Sequence, residues 1–174
     1  MRIDRIEETR LTAVDEAQIA KLMERSFPTE FVGRSYYRQR HHTRLVVRAP
    51  HIIGHFALTY RAIRLGNDLI DIIGLAEVGT DPDHRGKGIA SALLQAAIAE
   101  ARQSQAVHLI LFGDAKLYAA AGFRPVHNKM RYTVIRNART LRTQTAKADS
   151  LMVLPLRGTL WDDAADLDML GHLF

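Results

Sequence analysis

The sequence predicts a mixed α/β fold in which a mostly antiparallel central sheet is flanked by helices. Strand-like runs follow one another through the first half of the chain, at 43–49, 51–64 and 68–80. An alanine-rich segment with helical periodicity then begins near Ile89. The nearly continuous apolar run at 106–112 is typical of a strand that is buried on both faces. Strand, crossover helix and strand together form a βαβ-type unit.

The first forty residues are expected to contain one strand and one helix. A short strand is predicted at 3–9. A helix follows, capped by Asp15 or the residues just before it and ended by Pro28. The stretch 31–42, FVGRSYYRQRHH, has no clear periodicity and is interpreted as a helix-loop region that is at least partly exposed.

The last third of the chain is expected to add one short helix and two strands. The helix is predicted at 115–121, with Gly122 at its C-terminus. Strands are predicted at 123–135 and 151–156, with the polar stretch 137–149 as a long connection. The apolar end at 167–174 is compatible with a homodimer or with a tail that folds back over its own core.

Length and composition favour a single soluble domain, residues 1–174. The chain is 47% hydrophobic, which is sufficient for a sizeable core, and its 24 Lys and Arg exceed its 19 Asp and Glu by five. There is no cysteine, and the charged N-terminus lacks the apolar run of a secretory signal. A cytoplasmic location is therefore expected, and a cysteine nucleophile is excluded.

Two other classes of site are not expected. The Arg, Tyr and His of 31–42 suggest nucleic acid, but no recognised nucleic-acid motif accompanies them, so no nucleic-acid partner is expected. The chain has eight histidines, yet His41 and His42 are adjacent and no metal-ligand spacing occurs. No metal site is therefore expected.

A turn with two glycines opens the central helix, in the stretch DPDHRGKGIASALLQAAIAEARQ from Asp81 to Gln103. Backbone amides in the first turn of a helix lack intrahelical partners and lie at the positive end of the helix dipole. Gly86 and Gly88 leave this backbone open to a bound anion such as a diphosphate. The stretch lacks both the Gly-Lys-Ser/Thr ending of a P-loop and the three-glycine dinucleotide fingerprint.

Two segments together resemble the GCN5-related N-acetyltransferase (GNAT) superfamily. Arg85-x-x-Gly88-x-Ala90 is similar to the family's acetyl-CoA pyrophosphate loop, and Thr80 to His84 resembles the usual approach to it. Gly113 to Phe123, GDAKLYAAAGF, is similar to a segment of one bacterial branch. The resemblance implies a splayed strand pair at the acetyl-CoA site, and it is closest over 46–126.

The resemblance also implies roles for particular residues. Val78, Gly79 and Thr80 would pair with the pantetheine arm, the Val78 amide would polarise the thioester carbonyl, and Gly79 would mark a bulge. The pyrophosphate would bind the loop Arg85, Gly86, Lys87, Gly88, Ile89 and Ala90. Tyr118 matches the tyrosine that acts as general acid. Asp114, where some members have asparagine, is interpreted as a helix N-cap.

Glu77 is the candidate general base, because it interrupts an apolar run just before the expected bulge. In a partly desolvated cleft, a carboxylate has its pKa raised toward neutrality. The alternative is a solvent-facing position on a strand. Asp71, His84 and His55 are reserve candidates.

The sequence therefore predicts an N-acetyltransferase that moves an acetyl group from acetyl-CoA to a primary amine by direct transfer in a ternary complex. Phe31, Tyr36, Tyr37, Arg38 and Trp161 are candidates for the acceptor pocket, with hydrophobic packing as their alternative role. Two other functions stay open: a non-catalytic CoA-binding sensory module and a transferase for longer acyl groups.

Overall fold

The computed structural model describes residues 1–113 and 116–174. It divides into two compact units, each made of two separate segments of the chain. Unit 1 contains Met1–Thr59 and Leu75–Ala99, and unit 2 contains Tyr60–Gly74 and Glu100–Phe174. The single domain indicated by the chain length stays a prediction. Within the described residues, no helix combines the length and apolar character needed to cross a membrane.

Unit 1 contains an antiparallel arrangement of strands. β1 (Asp4–Glu7) pairs with β2 (Thr43–Arg48), and β2 pairs with the first part of β3 (Ile52–Leu65). The last part of β4 (Asp68–Thr80) also belongs to this unit, and its bounds agree with the predicted strand 68–80. The three strands predicted at 43–49, 51–64 and 68–80 are therefore present as β2, β3 and β4.

Helix α1 (Ala13–Ser26) begins at a capping box. The Thr12 hydroxyl accepts a hydrogen bond from the Asp15 amide at 3.1 Å, and the Asp15 carboxylate accepts from the Thr12 amide at 3.3 Å. The cap lies just before Asp15, where the sequence places it. The buried face of α1 packs into a cluster formed by Ile19, Leu22, Met23, Phe31, Val46 and Ile52.

Helix α2 (Ile89–Gln103) packs closely on β3, because residue 54 is a glycine. A Cβ at Gly54 would lie 2.5 Å from Ile89 Cγ2 and 2.9 Å from Leu93 Cδ1. Only a residue without a side chain permits this approach. The close contact fixes the N-terminal turn of α2, which carries the predicted anion site.

Unit 2 contains a larger, mixed sheet. Its elements after α2 are β5 (His108–Phe112), α3 (Lys116–Ala120), β6 (Arg124–Pro125), β7 (Lys129–Arg136), β8 (Arg139–Lys147), β9 (Leu151–Pro155) and β10 (Leu167–His172). The strand order is β6-β9-β5-β4-β3-β10-β7-β8. The pairing of β10 with β7 is parallel, whereas β5–β9, β6–β9, β7–β8 and β3–β10 are antiparallel. The predicted fold class is confirmed.

Three predicted elements differ in the structure. The stretch 137–149 is not a connection, because β8 occupies most of it and pairs with β7 along its whole length. The strand predicted at 123–135 is two strands, β6 and β7, and the region 31–42 is irregular without a helix. Asp114, the expected N-cap, and Ala115, the expected first helical residue, lie outside the described residues.

The C-terminal tail folds into unit 2. β10 inserts between β3 and β7, and Trp161 is buried in the core of this unit. The buried Asn128 side chain accepts a hydrogen bond from Trp161 Nε1 at 2.9 Å and donates to the carbonyls of Asp162 and Ala165 at 2.8 and 2.9 Å. One amide therefore anchors the segment that leads into β10.

Replacing Asn128 with alanine is expected to lower the free energy of unfolding by about 2–4 kcal/mol, because the change leaves a buried indole N–H and two carbonyls without partners. Urea unfolding monitored by Trp161 fluorescence measures the change. Asn67→Ala, at an exposed turn of the same unit, is the matched control and should change the value by less than about 0.5 kcal/mol. A loss below about 1 kcal/mol in Asn128→Ala would contradict the anchoring role.

Candidate functional site

The approach to the glycine turn is held by ion pairs within unit 1. Asp81 donates its amide to the Ile53 carbonyl at 2.8 Å, and its carboxylate accepts from the Asp83 amide at 2.9 Å. Arg25 contacts Asp81 at 2.5 Å and Asp83 at 2.8 Å. Burial alone would raise the pKa of Asp81, but the Asp83 amide, His84 and Arg25 outweigh it and lower the pKa. The carboxylate is therefore ionised and fixed.

The glycine turn presents an open backbone. Gly86 and Gly88 have φ values of +75° and +77°, and a Cβ at either position would meet no atom within 4 Å. The side chains of Arg85 and Lys87 are exposed, whereas Ile89 is buried and anchors the start of α2. The Arg85 amide donates to the Pro82 carbonyl at 3.4 Å, so the first of the predicted anion ligands is partly engaged. The amides that follow it open α2, where helical geometry gives them no acceptor.

The irregularity in β4 lies at Glu77 and not at Gly79. Glu77 has φ of +51°, a left-handed conformation that is rare for a residue with a side chain, whereas Gly79 is not in that region. Gly79 is required for another reason, since a Cβ there would overlap the Met23 methyl group. The bulge at Gly79 stays a prediction, and the unusual backbone conformation that the structure shows in this part of β4 is at Glu77.

The Glu77 carboxylate is buried in a network of charged and polar groups. It accepts from the Tyr37 amide at 2.7 Å and from Arg44 Nη1 at 2.8 Å, and His41 Nε2 lies 3.0 Å from it. Arg44 is fully buried and also binds Glu8 at 2.7 and 3.1 Å. We call Glu8, His41, Arg44, His55 and Glu77 the buried charge network.

Electrostatics within the buried charge network fix its protonation states. Burial and the Arg44 charge lower the pKa of His55 to about 3, so this imidazole is neutral. Neutral His55 donates from Nδ1 to the Glu77 carbonyl at 2.8 Å, and its Nε2 lies 3.2 Å from Arg44 Nη1, which can donate to it. His55 therefore contacts both Arg44, which binds the Glu77 carboxylate, and the backbone carbonyl of Glu77.

The expected rise in the Glu77 pKa is wrong. Burial alone would raise it, but the His41 side chain and the charges of His41 and Arg44 more than compensate, and the pKa lies below its ordinary value. The pKa of Glu8 is lowered in the same way, by hydrogen bonds and charge from Arg44 that outweigh its burial. Sequence reasoning missed Arg44, because its strand TRLVVR gives no sign that an arginine faces inward.

Tyr118 lies on α3 in unit 2. Its ring is buried, 6.0 Å from the ring of Phe123 between centroids, and a Cβ at Gly113 would lie 3.2 Å from it. Burial raises the pKa of the Tyr118 phenol, so it stays protonated at neutral pH. Within the described part of the chain, no residue hydrogen bonds to the Tyr118 hydroxyl, and this O–H is available to a ligand.

Other candidates have structural partners. Trp161 belongs to the core of unit 2, and Phe31 and Tyr37 pack together at 5.9 Å between ring centroids. Asp71 accepts from the Tyr60 hydroxyl at 2.9 Å, and His84 contacts Asp81 at 3.5 Å. Among the described residues, no group of three His, Cys, Asp or Glu side chains is suited to a metal ion.

Comparisons with known proteins agree with this arrangement. A family model described as an acetyltransferase (GNAT) domain matches residues 8–126. No curated protein matches at a significant level.

The solved structures with a similar fold include three bacterial acetyltransferases. A Brucella melitensis GNAT acetyltransferase in complex with acetyl-CoA is 19% identical, with a TM-score of 0.60 over 95% of this chain and 94% of that one. An Escherichia coli GNAT N-acetyltransferase in complex with CoA is 16% identical, with a TM-score of 0.60 over 97% and 90%. The ribosomal-protein-S18-alanine N-acetyltransferase of Escherichia coli is 17% identical, with a TM-score of 0.58 over 92% and 99%. Since the family model covers well over half of the sequence, this chain belongs to the GNAT acetyltransferase family.

Proposed function

We propose that this protein is an acetyl-CoA-dependent N-acetyltransferase that acts on a primary amine by direct transfer in a ternary complex. The open turn from Gly86 to Ala90 at the start of α2 is the observation that carries the proposal. Two left-handed glycines and a helix N-terminus form a cradle for a diphosphate. Two of the similar structures contain acetyl-CoA or CoA.

Two groups of this chain act in the proposed chemistry, and solvent completes the proton transfers. The amine nitrogen attacks the thioester carbonyl carbon, and the Val78 amide stabilises the oxyanion that forms. As the C–S bond breaks, Tyr118 donates its phenolic proton to the departing thiolate. Water takes the proton that the attacking nitrogen loses, and solvent returns a proton to the Tyr118 phenolate. Without cysteine, no acetyl-cysteine intermediate forms.

Glu77 is proposed as a positioning residue rather than the base. Its carboxylate oxygens are occupied by Tyr37, His41 and Arg44, and its low pKa makes it a weak proton acceptor. Its left-handed backbone lies directly before Val78 and sets the direction of the chain there. The role of Glu77 is thus to hold the backbone that contacts the thioester.

Isothermal titration with acetyl-CoA, followed by an assay of CoA release over a panel of primary amines, tests the proposed function. Micromolar binding and amine-dependent release of CoA are expected. Binding without release for any amine would favour a sensory module, and the absence of binding would refute the donor assignment.

Gly88→Ala is expected to weaken acetyl-CoA binding at least about tenfold, because the Cβ stands where a phosphate approaches and the left-handed backbone is strained by about 1–2 kcal/mol. Gly158→Ala is the matched control, since Gly158 has φ of +73° and equally open surroundings. Titration calorimetry and thermal unfolding measure both variants. Equal coenzyme affinity in the two variants would rule out a role of Gly88 in phosphate binding.

Tyr118→Phe is expected to lower kcat about 100-fold or more while the acetyl-CoA dissociation constant changes less than about twofold, because only the transferable proton is removed. Since burial raises the Tyr118 pKa, wild-type activity should not fall through loss of this proton between pH 7 and 9. Tyr132→Phe, whose hydroxyl accepts from Gln144, is the control. Unchanged kcat in a chemistry-limited assay would contradict the general-acid assignment.

Glu77→Gln is expected to lower the free energy of unfolding at pH 7 by about 3–5 kcal/mol, because it breaks a buried ion pair. The folded pKa of Glu77 lies below its ordinary value of 4.5, so the carboxylate stabilises the fold fully above pH 4.5 and loses this effect as the pH falls through the folded pKa. The difference in free energy of unfolding between wild type and Glu77→Gln should therefore be constant from pH 8 to 5 and become smaller below pH 5.

Urea unfolding between pH 3.5 and 8 measures this difference, with the exposed Glu7→Gln as control. A general base with a raised pKa would give the opposite sign, because its destabilising ionisation would lower wild-type stability as the pH rises from 4.5 toward 7. That outcome would restore Glu77 as the base.

A further inference from the structure

The segment from Lys129 to Lys147 forms a β-hairpin with a strongly basic surface. It contains six cations and no Asp or Glu: Lys129, Arg131, Arg136, Arg139, Arg142 and Lys147. All six are exposed, and β7 and β8 pair from Lys129↔Lys147 to Arg136↔Arg139. Asn137 and Ala138, both with positive φ, close the turn. We call this element the basic hairpin.

Like charges face each other at both ends of the basic hairpin. Lys129 lies opposite Lys147, and Arg136 lies opposite Arg139. Like charges directly opposite on neighbouring strands destabilise a sheet. Among residues 1–113 and 116–174, none of these four cations has a carboxylate partner, and Arg131 reaches Asp168 only at 3.8 Å. The fold therefore tolerates a local electrostatic cost that an external anion would relieve.

Other basic residues of the chain are used differently. In the region 31–42, Arg34 donates to backbone carbonyls, Arg40 pairs with Glu8 and Glu16, and His41 contacts Glu77. These side chains have their contacts inside unit 1. Most basic residues of the segment whose composition suggests nucleic acid are thus structural, whereas the basic hairpin is a run of six exposed cations without an Asp or Glu.

A second copy of the chain is disfavoured in the register that pairs two β8 strands along their whole length. β8 is exposed along most of its length, but antiparallel pairing of two β8 strands about Thr143 would place Arg139 of each copy opposite Lys147 of the other. Such like-charge pairs oppose association, and charged edge strands are a common protection against it. The occupant must carry negative charge.

We propose that the basic hairpin binds the phosphate backbone of nucleic acid. Between its two end pairs the hairpin extends about 23 Å at about 3.3 Å per residue, so its cations are spread over the length of several nucleotides. β10 pairs with β7 as far as Thr133, and the part beyond Thr133 is a two-stranded ribbon, the kind of element that enters the major groove of a duplex. The Thr133, Thr143 and Thr145 side chains supply hydroxyl groups, which contact phosphates beside Arg and Lys. An interface with an acidic protein would instead be expected to have an apolar centre. β8 does not offer one, because Leu141 alone among its residues is a large exposed hydrophobic.

The test measures binding of the full chain to fluorescent 20-base-pair DNA, 20-base-pair RNA and 20-nucleotide single strands by anisotropy between 50 and 300 mM KCl. The wild type should bind at least one with a slope of log K against log salt of about −4, the value for four to five neutralised phosphates. Arg136→Gln with Arg139→Gln should reduce the slope by about 2 and weaken binding at least about tenfold at low salt.

The control is Arg2→Gln with Arg10→Gln, which removes the same charge from two exposed arginines of unit 1 and should leave the slope unchanged. Lys129→Gln with Lys147→Gln repeats the test at the other end of the hairpin and should not lower the melting temperature, because it removes a like-charge pair. Acetyl-CoA binding should be the same in all variants. An absence of nucleic-acid binding is therefore distinguishable from an absence of the proposed acetyltransferase function.

Three results would overturn the proposal. One is no binding to any nucleic acid at 50 mM KCl, and another is an equal slope for the hairpin and control variants. The third is competition by polyglutamate, or binding to phosphatidylserine vesicles, at the same charge concentration as nucleic acid. That result would assign the basic hairpin to an acidic protein or a membrane surface.

Discussion

The buried guanidinium of Arg44 is the interaction on which unit 1 depends. It is fully buried and lies between the carboxylates of Glu8 and Glu77, at 2.7 and 2.8 Å. Burying a charge is costly unless it is paired and its hydrogen bonds are made. Arg44 also donates to the Ser35 carbonyl at 3.1 Å and lies 3.2 Å from His55. Residues far apart in the sequence are thereby tied to one side chain, and the irregular region around Ser35 is held without regular secondary structure of its own.

The sequence-based interpretation assumes that a buried Glu77 is a good base. The buried charge network separates these two properties, burial and basicity. Desolvation alone would raise the pKa of its carboxylate, but hydrogen bonds from the Tyr37 amide and Arg44, together with the His41 contact, hold it as an anion with a pKa below the ordinary value. The property that then distinguishes Glu77 is its left-handed backbone conformation. A left-handed residue inside a strand is strained and persists only when its surroundings determine it. Tyr37, His41, Arg44 and His55 supply those surroundings. The proposed role of Glu77 therefore rests on the backbone that it shapes.

The parts of the fold that the sequence predicts are those governed by local rules. β4, the cap of α1 and the glycine turn follow from hydrophobic pattern, capping chemistry and backbone freedom. The buried charge network and β10 depend on partners distant in the chain, and no local pattern indicates that an arginine faces inward. β8 was missed for another reason: it consists mostly of Thr, Arg, Gln and Lys, so it lacks the apolar alternation that marks a half-buried strand. The open backbone of the glycine turn was therefore predictable, and the partners of Glu77 were not.

The net charge of this protein says little about its partners unless the positions of the charged residues are also considered. The six cations of the basic hairpin exceed the net charge of +5 of the whole chain, so the remaining sequence is slightly acidic. An excess of +5 spread evenly would be screened over about 10 Å at moderate salt and would steer little. Concentrated on one exposed ribbon, the same excess produces a local potential that the fold itself does not neutralise. The location of the charge is therefore the observation that supports a ligand surface at the basic hairpin.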